Sequence, residues 1–221
     1  MMISNNFQNK TNFNAIPVSK AKIHNGVREY CYDIYQLTKQ DSEYLKQLSD
    51  NIDMKELYPD LSENGRLTWL DMIKHGLSVN HDIGEKGLLL TENNVPCGVM
   101  NYSVKKDKFY VNYVGSWQDS KTETIPAKGT LMFMELFKQF KEEDARVVEL
   151  SAIRYGPIDV ISKYMRLGLK MCGGDNYEET MCAGKNTVHK KLADLEQKIE
   201  YTPVTNGENV DLSKVLKGYI A

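Results

Sequence analysis

TIPAKGTLMF, residues 124–133, is the stretch that decides the fold of this 221-residue chain. It follows a run of strand-forming residues and opens a strongly amphipathic helix. Small residues before a helix leave the N–H groups of the first turn free and turn the positive end of the helix dipole outward. Such an end suits an anion, in particular a phosphate or pyrophosphate. Glycine also occurs in tight turns for packing alone, so the interpretation depends on the neighbouring elements.

The segments on either side of this loop predict a strand–helix–strand unit. Phe109 to Trp117 has the pattern of a strand, Thr130 to Glu143 that of a helix, and Val147 to Ile153 that of a second strand. The crossover should be right-handed and should bring the two strands parallel. If the strands splay apart, their edges form a cleft beside the phosphate loop.

Further elements extend the pattern in both directions. Short turns predict antiparallel neighbours before the unit. The predicted strands are 28–37, 86–91, 95–105, 169–172 and 177–183, and the predicted helices are one beginning after Thr38, 67–77, one from Pro157 to Leu167, and 188–199. The fold class is therefore α/β (α+β), with a mixed, mostly antiparallel central sheet, a splayed parallel strand pair and flanking helices.

Composition divides the chain into three parts. Residues 1–25 contain no Asp or Glu and little periodicity, which predicts a mobile or loosely docked leader. Residues 26–186 form the predicted domain, and residues 187–221 a helical extension with a weakly patterned tail.

Bulk properties exclude several classes of function. A net charge of −2 does not suit a general nucleic-acid or membrane-surface binder. Four cysteines without C-x-x-C spacing indicate reduced thiols, not a disulfide framework or zinc site. No apolar run is long enough for a membrane span, and the N-terminus lacks the apolar segment of a signal peptide. We therefore expect a cytoplasmic protein with no metal, no nucleic-acid partner and no membrane partner.

With these elements in order, the chain resembles the GNAT-type N-acetyltransferases, a family that binds acetyl-coenzyme A, over roughly residues 27–185. Residues 124–130 are similar to the family's Gln/Arg-x-x-Gly-x-Gly/Ala phosphate loop, and residues 162–170 to its Tyr-x-x-x-Gly-Phe helix end. Thr124 stands where Gln or Arg is usual, Ala127 where the first Gly is usual, and Leu169 in place of Phe; Pro157 sits where many members have Asn.

The resemblance implies acetyl transfer from acetyl-CoA to a primary amine, with no metal. Lys128 would add side-chain charge near the phosphates. Tyr164 would be the general acid that protonates the leaving thiolate, although a tyrosine at this spacing is also an ordinary core residue. Tyr155 is the alternative acid. The implied cofactor-binding residues are Val114, Ser116, Ala127, Lys128, Gly129, Thr130 and Leu131.

The general base and the acceptor stay open at this stage. Glu123 is the first candidate base, with Asp119 and Glu149 as alternatives, and each is also typical of a solvated surface. A base acting through water, or an amine that arrives deprotonated, would serve as well. Trp117 either lines the acceptor site or belongs to the core. His75 and His81, which have no obvious partners in the sequence, are interpreted as surface or helix-end residues.

Acidic residues in the segment from about Ser49 to Asp82 would favour a cationic amine, on a small molecule or a protein, or else form a solvated surface. A monomer and a homodimer are both compatible with the sequence. Two other readings remain: a non-catalytic CoA-binding or interaction module on a GNAT-like fold, and a secreted or partner-binding protein dominated by its two ends.

Overall fold

One nine-stranded sheet, flanked by helices on both faces, runs through the described part of the protein. The structure is a computed structural model and describes residues 14–26, 28–53, 60–117, 128–156, 158–205 and 207–212. The strand order is β7-β8-β6-β5-β4-β3-β2-β1-β9. The strands are β1 (Ile16–Asn25), β2 (Arg28–Leu37), β3 (Glu85–Glu92), β4 (Val95–Lys105), β5 (Lys108–Ser116), β6 (Val147–Ile153), β7 (Lys170–Gly174), β8 (Glu178–Gly184) and β9 (Glu200–Pro203).

Helices follow the order that the sequence predicts. The α-helices are α1 (Ser42–Asn51), α2 (Glu63–Leu77), α3 (Lys128–Glu142), α4 (Val160–Arg166) and α5 (Lys185–Glu196), with short 3-10 turns at Lys39–Asp41 and His81–Ile83. Neighbouring strands are antiparallel except β5 and β6, which are parallel. The predicted fold class is therefore confirmed. Among the described residues, no helix is both long enough and apolar enough to cross a membrane.

Local turn chemistry explains why the central strands were predictable. Asn93 and Asn94 join β3 to β4 with φ values of 51° and 67°. Lys106 starts the next turn with a φ of 59°. Asparagine tolerates this left-handed region better than most residues, and two-residue turns of this kind match the twist of a hairpin. Short turns therefore fix the β3–β4–β5 meander from sequence alone.

Two buried clusters lie on opposite faces of the sheet. One is formed with α3 and α5 and includes Phe133, Phe137 and Phe140. The other is formed with α1 and α2 and includes Ile73 and Trp117. Helix α3 comes close to β4, since a Cβ added at Gly98 would lie 3.1 Å from Met132 Cε. The missing side chain at Gly98 thus sets how near α3 lies to the sheet.

The sheet extends beyond both ends of the predicted domain. Residues 16–25 were expected in a loosely docked leader, but they form β1 and pair with both β2 and β9. Ion pairs join β1 to β2, with Lys20 Nζ 3.4 Å from Asp33 and Lys22 Nζ 3.1 Å from Glu29. A register shift between Pro17 and Ser19 breaks the alternation that marks a strand in sequence. Because polar side chains make these contacts, the hydrophobic pattern of the sequence did not predict strand β1.

The buried Glu135 carboxylate on α3 accepts hydrogen bonds from β1 and β9. Ser19 Oγ on β1 donates to Glu135 Oε2 at 2.9 Å, and the Tyr201 hydroxyl on β9 donates to the same oxygen. Gln139 Nε2 donates to Glu135 Oε1 at 3.0 Å. Strand β9 falls in the segment predicted as a weakly patterned tail, so the sequence boundaries at residues 25 and 187 both cut through this connected structure.

Candidate active site

A cleft opens where the parallel strands β5 and β6 separate. The two strands pair from Lys108 opposite Val147 to Val111 opposite Leu150, and the pairing stops there. Beyond that point lies a small cavity, with about 60 Å³ of space for the centres of water-sized molecules. Its lining is mostly apolar and comes from α2, β5, β6 and the segment leading through α4: Thr68, Trp69, Met72, Val111, Asn112, Tyr113, Val114, Leu150, Ser151, Ala152, Ile153, Gly156, Ile158, Val160 and Tyr164.

A β-bulge at Asn112 directly follows the last β5 residue that pairs with β6. Tyr102 pairs with Val111 and Asn101 with Tyr113, so Asn112 is the extra residue. Such a bulge bends its strand. Asn112 Nδ2 donates to Asn101 Oδ1 at 2.9 Å, and Asn101 Nδ2 donates to Glu85 Oε2 at 2.8 Å. The sequence analysis missed this polar network, although two asparagines inside strands, where they are unfavourable, were a usable signal.

The two cofactor candidates on β5 lie in different surroundings. Val114 lines the cavity, past the end of the β5–β6 ladder. Ser116 pairs with Gly98 of β4, and its carbonyl oxygen accepts a hydrogen bond from Trp69 Nε1 at 3.2 Å. Ser116 therefore meets α2 through a hydrogen bond, whereas Val114 faces the cleft.

The start of α3 contains the predicted phosphate-binding residues. Lys128 is its first residue, so the N–H groups of Lys128, Gly129 and Thr130 belong to the first turn. Gly129 and Thr130 are partly exposed, whereas Leu131 is buried. A Cβ added at Gly129 would meet no described atom within 4 Å, so the described residues leave the space beside the turn open. Ala127 and the rest of the loop lie outside the described residues.

The Lys128 side chain does not face this open space, contrary to the expectation that it adds charge for the phosphates. Lys128 is only 4% exposed. Its Nζ donates to the Trp117 carbonyl oxygen at 3.1 Å and lies 3.4 Å from Glu92 Oε2. The buried carboxylate and carbonyl draw the ammonium inward, which leaves the backbone as the part of Lys128 available to an anion.

Tyr164 reaches the cleft from α4. Asp159 caps this helix, since its Oδ1 accepts a hydrogen bond from Ser162 N at 3.0 Å. The Tyr164 ring packs edge-on against Phe133, and the Tyr164 hydroxyl makes no hydrogen bond with any described residue. Burial raises the pKa of Tyr164 above its ordinary value, so the phenol stays a proton donor at neutral pH. Tyr155, the alternative acid, is 83% exposed and is not among the lining residues.

None of the three candidate bases lines the described part of the cleft. Glu149 on β6 pairs with Lys108 at 2.7 Å and is not a lining residue. Glu123 and Asp119 lie outside the described residues. Among the lining residues that the structure describes there is no carboxylate, and the described His, Cys, Asp and Glu side chains form no group of three that could hold a metal ion.

The predictions for Trp117 and His75 have different outcomes. Trp117 is fully buried in the core on the α1–α2 side, which favours the core reading. His75 is not isolated: its ring stacks on Tyr113, a lining residue, with centroids 5.0 Å apart and planes at 18°. His75 also lies 3.5 Å from Asp71. The sequence could not show this stack because the bulge decides where Tyr113 points.

The acidic segment does not supply the described wall of the cleft. Helix α2 contributes Thr68, Trp69 and Met72, all uncharged. Asp71 instead meets His75, and Asp82 pairs with Lys39 at 2.7 Å. For these residues the reading as a solvated acidic surface is the better one.

Solved structures share this overall fold. The chain superimposes on the PaiA N-acetyltransferase of Thermoplasma acidophilum, solved with coenzyme A, with a TM-score of 0.50 and 17% identity, covering 70% of this chain and 99% of that one. The fold is that of the GNAT acetyltransferases. A second GNAT protein, the nucleotide-linked sugar GNAT FdhC solved without ligand, matches with a TM-score of 0.51 and 14% identity, over 85% of this chain and 98% of that one.

An uncharacterised protein of Bacillus halodurans matches with a TM-score of 0.50 and 10% identity, over 80% of this chain and 96% of its own. No family model matches the sequence. No curated protein matches it either. The resemblance to the GNAT fold seen in the sequence is thus confirmed, and the low identities mark a divergent form of that fold.

Proposed function

We propose that this protein is an N-acetyltransferase that moves the acetyl group of acetyl-CoA to a primary amine by direct attack in a ternary complex. One observation carries the proposal: the splayed edge of β5 beside β6 has Tyr164 in its wall, and the same strand leads to the open first turn of α3. A GNAT-fold neighbour solved with coenzyme A supports the choice of cofactor.

Each part of acetyl-CoA has a candidate subsite. The pantetheine arm would lie along β5 near Val114, where backbone groups no longer pair with β6. The pyrophosphate would accept hydrogen bonds from the N–H groups of Ala127, Lys128, Gly129, Thr130 and Leu131 at the positive end of α3. The cofactor is consumed as a substrate, and no metal takes part in this proposal.

The chemistry requires one bond to form and one to break. The amine nitrogen attacks the thioester carbonyl carbon, the C–S bond breaks, and CoA leaves as a thiolate. Tyr164 would give its phenolic proton to this thiolate, and its raised pKa keeps the phenol protonated at neutral pH. The proton lost by the amine would pass to Glu123 or to water. The acceptor would be an amine-bearing small molecule or protein.

A specific observation also favours a second function, a non-catalytic CoA-binding module. The described lining residues include no carboxylate, and Lys128 leaves only backbone groups to hold the phosphates. Such a module would bind CoA and acetyl-CoA but would release no thiol in the presence of any amine.

Thermal unfolding with and without acetyl-CoA tests the proposal, since a ligand that binds the native state raises the unfolding temperature. Gly129→Glu would place a negative charge beside the phosphates in open space, where helix geometry tolerates it. The matched control is Gly184→Glu, at the open N-cap of α5. We expect a shift in the wild type and the control and none in Gly129→Glu. No shift in the wild type at saturating acetyl-CoA would overturn the proposal, and a shift without thiol release across an amine panel would favour the module.

A further inference from the structure

Lys128 and Glu92 form a buried ion pair at the start of α3. The side chains are 5% and 4% exposed, and Nζ lies 3.4 Å from Oε2. Glu92 Oε2 accepts no hydrogen bond from any described residue. The neighbouring side chains of Cys97 and Trp117 are buried as well. The ion pair is therefore shielded from solvent, unlike a surface salt bridge.

This placement breaks two local preferences of the chain. A cation in the first turn of a helix faces the positive end of the helix dipole, which is unfavourable. Burying two charges also costs free energy, and an apolar pair of similar volume is often neutral or better. Departures of this kind from local consistency concentrate at functional sites.

The contacts of Lys128 connect three strand and helix ends. Through Nζ, the first residue of α3 meets the Trp117 carbonyl oxygen, directly after β5, and Glu92, the last residue of β3. Trp117 N in turn donates to the Cys97 carbonyl oxygen of β4 at 2.9 Å. The start of α3 is thereby held at a fixed distance from the end of β5.

We propose that Lys128 is a positioning residue, which with Glu92 sets the register between the phosphate subsite on α3 and the pantetheine subsite on β5. The inference rests on the proposed function, because it assigns these two subsites to the two halves of CoA. A ligand that spans two subsites gains affinity over its separate halves only when their spacing matches the linker. The ion pair fixes that spacing without touching the cofactor.

The experiment compares whole CoA with its halves. Binding of CoA, of pantetheine and of adenosine 3′-phosphate 5′-diphosphate is measured by NMR titration. The variants are Lys128→Met and the double variant Lys128→Met/Glu92→Met, which leaves no unpaired charge. The control is Lys138→Met, which removes a different Lys–Glu pair from the same helix, one whose side chains are 21% and 42% exposed.

We expect the folded double variant to bind each half within about twofold of the wild type and to bind CoA about tenfold more weakly or worse, because the linkage advantage is lost. Equal CoA affinity in the double variant and the wild type would overturn the inference. A parallel loss of affinity for both halves, or failure of both variants to fold, would also overturn it and assign the pair to stability. Absence of CoA binding in the wild type would instead refute the proposed function.

Discussion

The ring of Tyr164 meets the ring of Phe133 edge-on, with centroids 5.7 Å apart and planes at 60°. Phe133 lies in the second turn of α3, whose first turn holds the candidate phosphate site. Edge-to-face packing favours one ring orientation. The position of the phenol in the cleft is therefore tied to the helix that would bind the phosphates.

Tyr164→Phe should separate chemistry from folding. The hydroxyl has no described hydrogen-bond partner, so its removal should leave the unfolding temperature nearly unchanged. Loss of a general acid should lower kcat about 100-fold with little change in KM for acetyl-CoA. Because burial raises the pKa of Tyr164, the wild-type rate should not fall with rising pH across the neutral and mildly alkaline range.

Thiol release from acetyl-CoA in the presence of an active amine measures this effect. Tyr177→Phe, at an exposed tyrosine on the β7–β8 turn, is the matched control. A kcat for Tyr164→Phe equal to that of the control would remove Tyr164 from the mechanism.

Asp159 should make the stability of α4 dependent on acid pH. Hydrogen bonds from Ser162 hold the pKa of Asp159 below its ordinary value. A depressed folded-state pKa means that the stabilisation is present above the unfolded-state pKa and is lost as pH falls through the folded-state pKa. We therefore expect the advantage of the wild type over Asp159→Ala in urea unfolding to shrink as the pH falls below about 4, the ordinary pKa of aspartate.

Asp159→Asn provides the sharper comparison, since asparagine caps a helix about as well as aspartate but does not titrate. Its stability relative to Asp159→Ala should stay constant over the same pH range. Asp194→Asn, on the exposed side of α5, is the control. A constant difference between the wild type and Asp159→Ala down to pH 2 would contradict the capping role.

Cys97 should be inert in the native protein. Burial raises the pKa of the Cys97 thiol to about 12, so only about 1 in 10,000 molecules carries the thiolate at pH 8. Iodoacetamide labelling followed by peptide mass spectrometry should modify Cys172 before Cys97, because Cys172 is exposed and its pKa is raised only to about 11. In urea the two should react at similar rates. Rapid native labelling of Cys97 would show that the core beneath α3 opens readily.

Glu135→Ala should destabilise the protein by roughly 2–4 kcal/mol, because it removes one buried carboxylate and leaves several polar groups unpaired. The affected groups belong to Ser19, Gln139 and Tyr201. Urea unfolding at pH 7 gives the value. The control is Lys86→Ala, which breaks an exposed pair with Glu143 and should cost less than about 1 kcal/mol. Equal losses in the two variants would mean that the network adds nothing to stability.

Most strands and helices could be predicted from the sequence where the hydrophobic pattern and the turn residues indicate the same boundaries. Strand β6 was predicted with its observed bounds, 147–153, and β4 likewise, 95–105, because apolar runs and sharp turns coincide there. Strands β1 and β9 were missed because polar side chains and pairing between distant segments hold them. Contacts such as Ser19 with Glu135 join residues 116 positions apart, and no local pattern reports them.

The candidate site was less predictable for a related reason. Tyr164 was proposed as the general acid through the resemblance to the GNAT family's helix end, and in the structure it lines the cleft. The inward turn of Lys128 depends on Glu92, and the stack of Tyr113 on His75 depends on a bulge, so both need the tertiary structure. A lysine among the first residues of a helix was the one available clue, since it opposes the helix dipole.

The short ladder between β5 and β6 has a mechanical consequence. Six strands on one side and three on the other each form a continuous antiparallel plate, and in the described sheet the backbone ladder between the two plates has four residue pairs. Tension across the sheet would therefore concentrate on Lys108–Val111 and Val147–Leu150. A molecule seated in the gap, with amide groups of its own, would act as a brace between the plates and make the sheet stiffer where it is narrowest.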